Sequence, residues 1–176
     1  ACADSDGHAV SVTVPALLQE VKESYRIGIS QPNHSLSRVA SAHEIDVWET
    51  YIEGQMDIDL EILLSDAGGD PKGQAQNLRK MLADKIDILL VCPYRADTLG
   101  DVLLDYQKAG VPVIVFERSQ EPTDLMSAWI HNDDYAMGKA LGEVAAETLE
   151  GEGSVVVLEG TQGISTTTER QRGFLD

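Results

Sequence analysis

Gly110-Val111-Pro112-Val113-Ile114-Val115-Phe116-Glu117-Arg118-Ser119 holds both a strand and the chemistry that follows it. The β-branched run reads as a strand buried on both faces, as is usual in a parallel sheet. Just upstream, Leu99, Leu103 and Tyr106 recur at helical spacing, and Gly110 supplies a C-terminal cap. Just downstream, Glu117 and Arg118 sit where the strand leaves the sheet, and in open α/β sheets ligands bind at that end. Glu117 can accept bonds from hydroxyls, and Arg118 can donate a fork of bonds to ring or hydroxyl oxygens. A solvated salt bridge at a strand end fits the same two residues equally well.

Outward from this stretch the pattern repeats. Ile27-Gly28-Ile29 predicts a strand, followed by the polar loop Ser30-Gln31-Pro32-Asn33-His34. A helix is predicted from about Leu36 to Gln55, with Ile45, Trp48 and Ile52 on one face. Ile58, Leu60, Ile62 and Leu64 alternate at strand period. Asp70 reads as an N-cap and Pro71 as the first helical residue, with Ala75, Leu78, Met81 and Leu82 inward and Arg79 on the solvated face. Ile86 to Cys92 predicts a third strand, ending in Pro93-Tyr94-Arg95, and a helix spans 96–109. Ser127 to Ile130 predicts a fifth strand. His131-Asn132-Asp133-Asp134 caps a helix whose apolar face is Met137, Leu141, Val144 and Thr148. Ser154 to Leu158 predicts a sixth strand, and a last helix begins near Thr166. Strand–helix alternation at this spacing implies βαβ units and a doubly wound parallel sheet. The chain stops shortly into that last helix, so the second unit is expected to be incomplete, with Val155, Val157, Leu158 and Phe174 more exposed than core residues.

The 176 residues allow one sizeable core and the start of a second. No run is apolar for long enough to span a bilayer. The formal charge of −17 opposes nucleic acid and anionic membrane surfaces, and leaves a neutral ligand open. Cys2 and Cys92 form neither a disulfide framework nor a metal motif. Cys92 reads as a buried thiol acting as a small hydrophobe. Cys2 is a candidate for the lipid-bearing first residue of an exported lipoprotein, which would make it the chain's one link to a membrane. Residues 1–24 read as a tail or tether, mobile over 3–14 unless a helix opened by Pro15 docks.

Several familiar motifs fail. Gly68 to Gly73 lacks the Gly-Lys-Ser/Thr ending of a phosphate loop, and Asp66 and Asp70 would repel phosphate. No Gly-x-Gly-x-x-Gly follows a strand, and no Gly-x-Ser-x-Gly elbow occurs. Asp57, Asp59 and Glu61 lack the glycine of a calcium loop and read as the wet face of an edge strand. The four histidines show no paired ligand spacing, so neither a metal nor any other cofactor is expected. Polar residues at strand ends remain: Asn33 and His34, Asp66, Tyr94 and Arg95, Glu117 and Arg118, Asn132 and Asp133. They converge on one rim and include no nucleophile–base pair, which suits binding better than catalysis.

From about Arg26 to Asp176 the sequence resembles the periplasmic sugar-binding proteins of the ribose-binding type, which share their fold with LacI-type effector domains. Its carriers are Arg26-Ile27-Gly28-Ile29-Ser30, the Asp66 to Gln74 turn, Leu89-Leu90-Val91-Cys92-Pro93 and Ala109-Gly110-Val111-Pro112-Val113-Ile114. Asn132-Asp133-Asp134-Tyr135-Ala136-Met137-Gly138-Lys139 and Thr168-Glu169-Arg170-Gln171-Arg172-Gly173-Phe174 continue it. The resemblance implies two similar α/β lobes closing on a ligand: residues 25–132 as the first lobe and 133–176 as the start of a second. It implies that Glu117 and Arg118 stand for an Asp-Arg pair gripping a sugar, and that Arg170 reaches in from the second lobe. His34 falls where the family often has asparagine, while Leu36 and Ser37 replace the stacking aromatics of ribose binders. Asn33, His34, Tyr94, Glu117, Arg118, Asp133 and Arg170 are therefore the candidate ligand-binding set. The implied function is an extracytoplasmic solute-binding protein that delivers a sugar-like ligand to an ABC permease. The sensory domain of a receptor or kinase is the alternative. A repressor is disfavoured because no basic helix-turn-helix precedes Tyr25, and an enzyme because the motifs are lacking.

Overall fold

The computed structural model describes residues 23–33, 42–117 and 123–176. The expected tether, the Pro15 helix and Cys2 lie outside these residues, as do His34, Leu36, Ser37 and Arg118. Five strands form one parallel sheet: β1 (Ser24–Gln31), β2 (Asp59–Asp66), β3 (Ile88–Val91), β4 (Val113–Glu117) and β5 (Ala128–His131). Their order is β2-β1-β3-β4-β5, every pair parallel. Helices α1 (Ala42–Met56), α2 (Pro71–Ala83), α3 (Gly100–Ala109), α4 (Asp134–Thr148) and α5 (Ser165–Leu175) complete the architecture. This is the doubly wound α/β fold expected from the alternation.

Period-two side-chain direction divides the core. Leu89, Val91, Val113 and Val115 point to one face, where Leu78 and Met81 of α2 and Val102, Leu103 and Tyr106 of α3 bury them. Each such side chain contributes about 1.5–3 kcal/mol on leaving water. The opposite face holds a smaller cluster, Ile29 and Ile45 with Ile27, Ile62, Leu90 and Phe116 around them. β4 is therefore buried on one face and half-buried on the other at Ile114 and Phe116, not fully buried on both as its composition suggests.

The cover differs because α1 lies along the edge of the sheet. β2 is an edge strand, and its Leu60 and Ile62 N–H groups donate to Glu53 Oε1 (2.9 Å) and Glu49 Oε1 (2.7 Å) of α1. Those bonds satisfy a strand edge that would otherwise invite pairing. They also turn Trp48 outward, so it is 40% exposed although helical spacing places it with buried Ile45.

Local chemistry sets the other elements. Asp70 caps α2, accepting from Lys72 N and Gly73 N at 3.0 Å each. The same bonds consume the helix N–H groups that a phosphate would need. Gly110 ends α3 at φ 71°, a conformation only glycine adopts cheaply, and its N–H bonds Gln107 O. The expected 96–109 helix is split, a 3₁₀ turn over Ala96–Thr98 preceding α3 because Thr98 Oγ1 takes the Arg95 carbonyl.

α4 and α5 pack on each other and on none of the five strands. Added Cβ atoms on Gly138 and Gly173 would collide with Arg170 O and Tyr135 O, and one on Gly142 would lie 2.6 Å from Phe174 O. The two helices therefore cross with their backbones in contact. Residues 154–160 form no strand, contrary to expectation, since no described strand lies beside them to pair with. Val155, Val157 and Leu158 are 51%, 41% and 93% exposed, as expected, whereas Phe174 is half-buried against α4. Met137, Leu141 and Val144 do share one face of α4, and that face is exposed.

Candidate ligand-binding site

Because all five strands run the same way, their carboxyl ends share one rim. The chain leaves β1 toward α1 and β2 on one side and reaches β3 on the other, so the strand order reverses between β1 and β3. Ligands of such sheets bind at that switch point. Asn33 follows β1, and Cys92, Pro93 and Tyr94 follow β3. Glu117 ends β4, paired in register with His131, and Asn132 and Asp133 follow β5.

The rim is held by a polar network that periodicity does not reveal. Gln74, fully buried on α2, donates from Nε2 to Cys92 O (2.8 Å) and Ser30 Oγ (3.2 Å), and its Oε1 accepts from Tyr94 N (2.8 Å). Cys92 N donates to Ser30 O at 2.9 Å. Gln74 thus ties the ends of β1 and β3 to one another. Its signal in the sequence is a polar residue on the otherwise apolar inward face of α2, four residues before Leu78. Cys92 is buried as expected, but its Sγ donates to Glu117 Oε2 at 3.2 Å, so it is not merely a small hydrophobe.

Glu117 is exposed and has φ 69°, the left-handed region that non-glycine residues avoid. Strained backbone of this kind concentrates at functional sites. Tyr94 is half-buried at the bend after Pro93. A side chain added at Gly69 would meet Asn33 Nδ2 at 3.4 Å, which places the Asn33 amide against the β2–α2 turn.

The structure brings Asn33, Tyr94 and Glu117 to one rim, with Asp133 at its β5 end. Asp133 is the N-cap of α4, its Oδ1 accepting from Ala136 N at 2.8 Å. Arg170 stands apart: its Nε donates to Asp134 Oδ1 at 2.9 Å, and Asp134 is almost wholly buried. Arg95, in sequence one more rim residue, binds Asp97 through Nε and Nη2, holding that carboxyl below the usual range. A Cβ on Gly163, in the loop before α5, would lie 4.0 Å from Arg95 Nη1. The α5 side of the chain thus approaches the rim beside Tyr94. Near α5 a cavity of about 290 Å³ is lined by Leu141, Val157, Phe174, Thr167 and Arg170. Among the described residues no cluster of His, Cys, Asp or Glu is arranged to hold a metal ion. Among the same residues no helix is long and apolar enough to cross a membrane.

Fold and rim define an open, doubly wound parallel α/β protein with polar groups gathered at its topological switch point. A family model for the periplasmic binding protein domain matches residues 48–176, and the chain belongs to that family. It is 28% identical over 115 residues to the xylitol-binding protein of Mycolicibacterium smegmatis, covering 65% of this chain and 33% of that protein. It is 30% identical over 114 residues to the ribose import binding protein of Salmonella typhimurium, covering 64% and 38%. Among solved structures, the fructose-binding periplasmic domain of a hybrid two-component system superposes with a TM-score of 0.70 at 26% identity, covering 86% of this chain and 48% of that one. A galactofuranose-binding protein superposes with a TM-score of 0.69 at 26% identity, covering 85% and 50%. The chain spans about half the length of these structures and between a third and two-fifths of the curated relatives.

Proposed function

We propose that this chain is part of an extracytoplasmic solute-binding protein that captures a sugar or polyol between two lobes for an ABC transporter. The observation that carries this reading is Glu117, a strained, exposed carboxylate on the same carboxyl-end rim as Asn33 and Tyr94. Such a group accepts from ligand hydroxyls, and Arg118, next in sequence, is the donor that would accept nothing and give to ring and hydroxyl oxygens. The relatives are named for xylitol, ribose and galactofuranose, all of them polyhydroxylated neutral molecules. The relatives are binding proteins, which supports capture rather than turnover.

In this reading residues 25–132 form one lobe and 133–176 open a second. The mutual packing of α4 and α5, away from the sheet, supports that division. Asn33, His34, Tyr94, Glu117 and Arg118 supply the first wall, and Asp133 and Arg170 the second. Cys2 is the candidate lipid-bearing anchor, and the partner is a membrane permease. The two-component structure supports a second reading, a ligand-sensing extracellular domain. A thermal-shift screen of the full-length protein against ribose, xylitol, galactofuranose, fructose and myo-inositol tests the binding class. A rise in melting temperature with at least one of them is expected. No shift with any at millimolar concentration would overturn it.

A further inference from the structure

We propose that Cys92 is a positioning residue of the ligand site, its thiol holding the Glu117 carboxylate ready for ligand hydroxyls; the inference rests on the binding reading above. Cys92 is fully buried, and both sides of its peptide are pinned, N–H to Ser30 O and C=O to Gln74 Nε2. Its Sγ donates to Glu117 Oε2 at 3.2 Å. That bond engages one oxygen of the carboxylate, and in this proposal the other, Oε1, takes the ligand hydroxyl.

The chemistry suits the task. A carboxylate at an exposed strand end samples many rotamers, and fixing it in advance removes part of the ordering cost of binding. A lysine or arginine in the place of Cys92 would fix it too, but would neutralise it and compete with the ligand for its lone pairs. A thiol is a weak, neutral donor, so it orients the group and leaves its acceptor strength intact. The left-handed φ of Glu117 points to the same end. Strained backbone of this kind is found at ligand-clamping positions, and here it falls on the residue the buried thiol reaches.

The test uses the full-length protein, with ribose, xylitol and myo-inositol as probes in isothermal titration. Cys92→Ala removes the donor, and Cys92→Ser keeps one. Cys92→Ala is expected to weaken the tightest probe roughly five- to tenfold, the worth of about one hydrogen bond, and Cys92→Ser to stay within about twofold of the parent. Independently of any ligand, the infrared S–H stretch should lie at lower frequency in the parent than in Glu117→Gln, whose amide is a weaker acceptor. Equal affinity of Cys92→Ala and parent would overturn the proposal. So would an S–H band unmoved by Glu117→Gln. A loss in Cys92→Ser as large as in Cys92→Ala, with melting temperature falling in both, would make Cys92 a packing residue instead. A parent that binds none of the probes removes the binding reading and this role with it, and the S–H band then reports the contact alone.

Discussion

Tyr106 and the Arg170–Asp134 pair each sit in surroundings with a measurable consequence. The Tyr106 ring is fully buried between α2, α3 and the sheet, and its hydroxyl donates to Leu78 O at 2.7 Å. Burial pushes its phenol well above the ordinary value. The sign follows from linkage. Above about pH 10 the unfolded chain gives up this proton while the folded chain keeps it, so stability is intact below that pH and falls as pH rises beyond it. Tyr106→Phe should cost about 1 kcal/mol at neutral pH, and should flatten the alkaline fall seen in urea melts between about pH 9 and 11. An alkaline limb unchanged by the substitution would assign the fall to other groups. Arg170 neutralises Asp134, which is buried at the start of α4. Arg170→Ala should destabilise by about 1–3 kcal/mol by chemical denaturation, less than for a fully buried pair because the arginine is half-exposed. Any loss of ligand affinity in that variant has to be read beside this loss of stability.

Helix contacts explain which elements are legible from sequence. The β4 run, the Asp70 cap, Gly110 and the Asp133 cap each act through neighbours a few residues away, and each stands where the sequence places it. The departures are non-local. Trp48 is exposed because Glu49 and Glu53 bond to the edge of β2, a partner that helical spacing does not show. Composition also misleads over 154–158, where apolar, β-branched residues need a neighbouring strand before they can become one. Gln74 and Cys92 escape notice as site residues because their roles depend on where β1, β3 and β4 end relative to α2. The α4–α5 crossing offers its own test. Gly138→Ala drives a methyl into the Arg170 carbonyl and should destabilise by about 1–3 kcal/mol in thermal or urea unfolding. Gly54→Ala, on α1 with open space around it, should be neutral or stabilise by up to about 1 kcal/mol. Equal, small effects at both positions would contradict the close crossing.

The molecule as a whole joins a parallel sheet, with its polar rim, to a helix pair that packs on none of the five strands. In the proposed reading a ligand is held between two bodies, one presenting Asn33, Tyr94 and Glu117, the other reaching the rim near Arg95 through the Gly163 loop. The strong net negative charge does not select a neutral polyol, but it opposes anionic ligands. The binding claim meets its most direct test in isothermal titration of the full-length protein with whichever sugar or polyol raises its melting temperature, comparing the parent with Glu117→Ala, Arg118→Ala and Arg79→Ala. Arg79 lies on the exposed face of α2. The account predicts that Glu117→Ala and Arg118→Ala each weaken binding by roughly tenfold to several hundredfold, the cost of an unpaired group in a closed cleft, while Arg79→Ala binds as the parent does. Parental affinity in both Glu117→Ala and Arg118→Ala would contradict it.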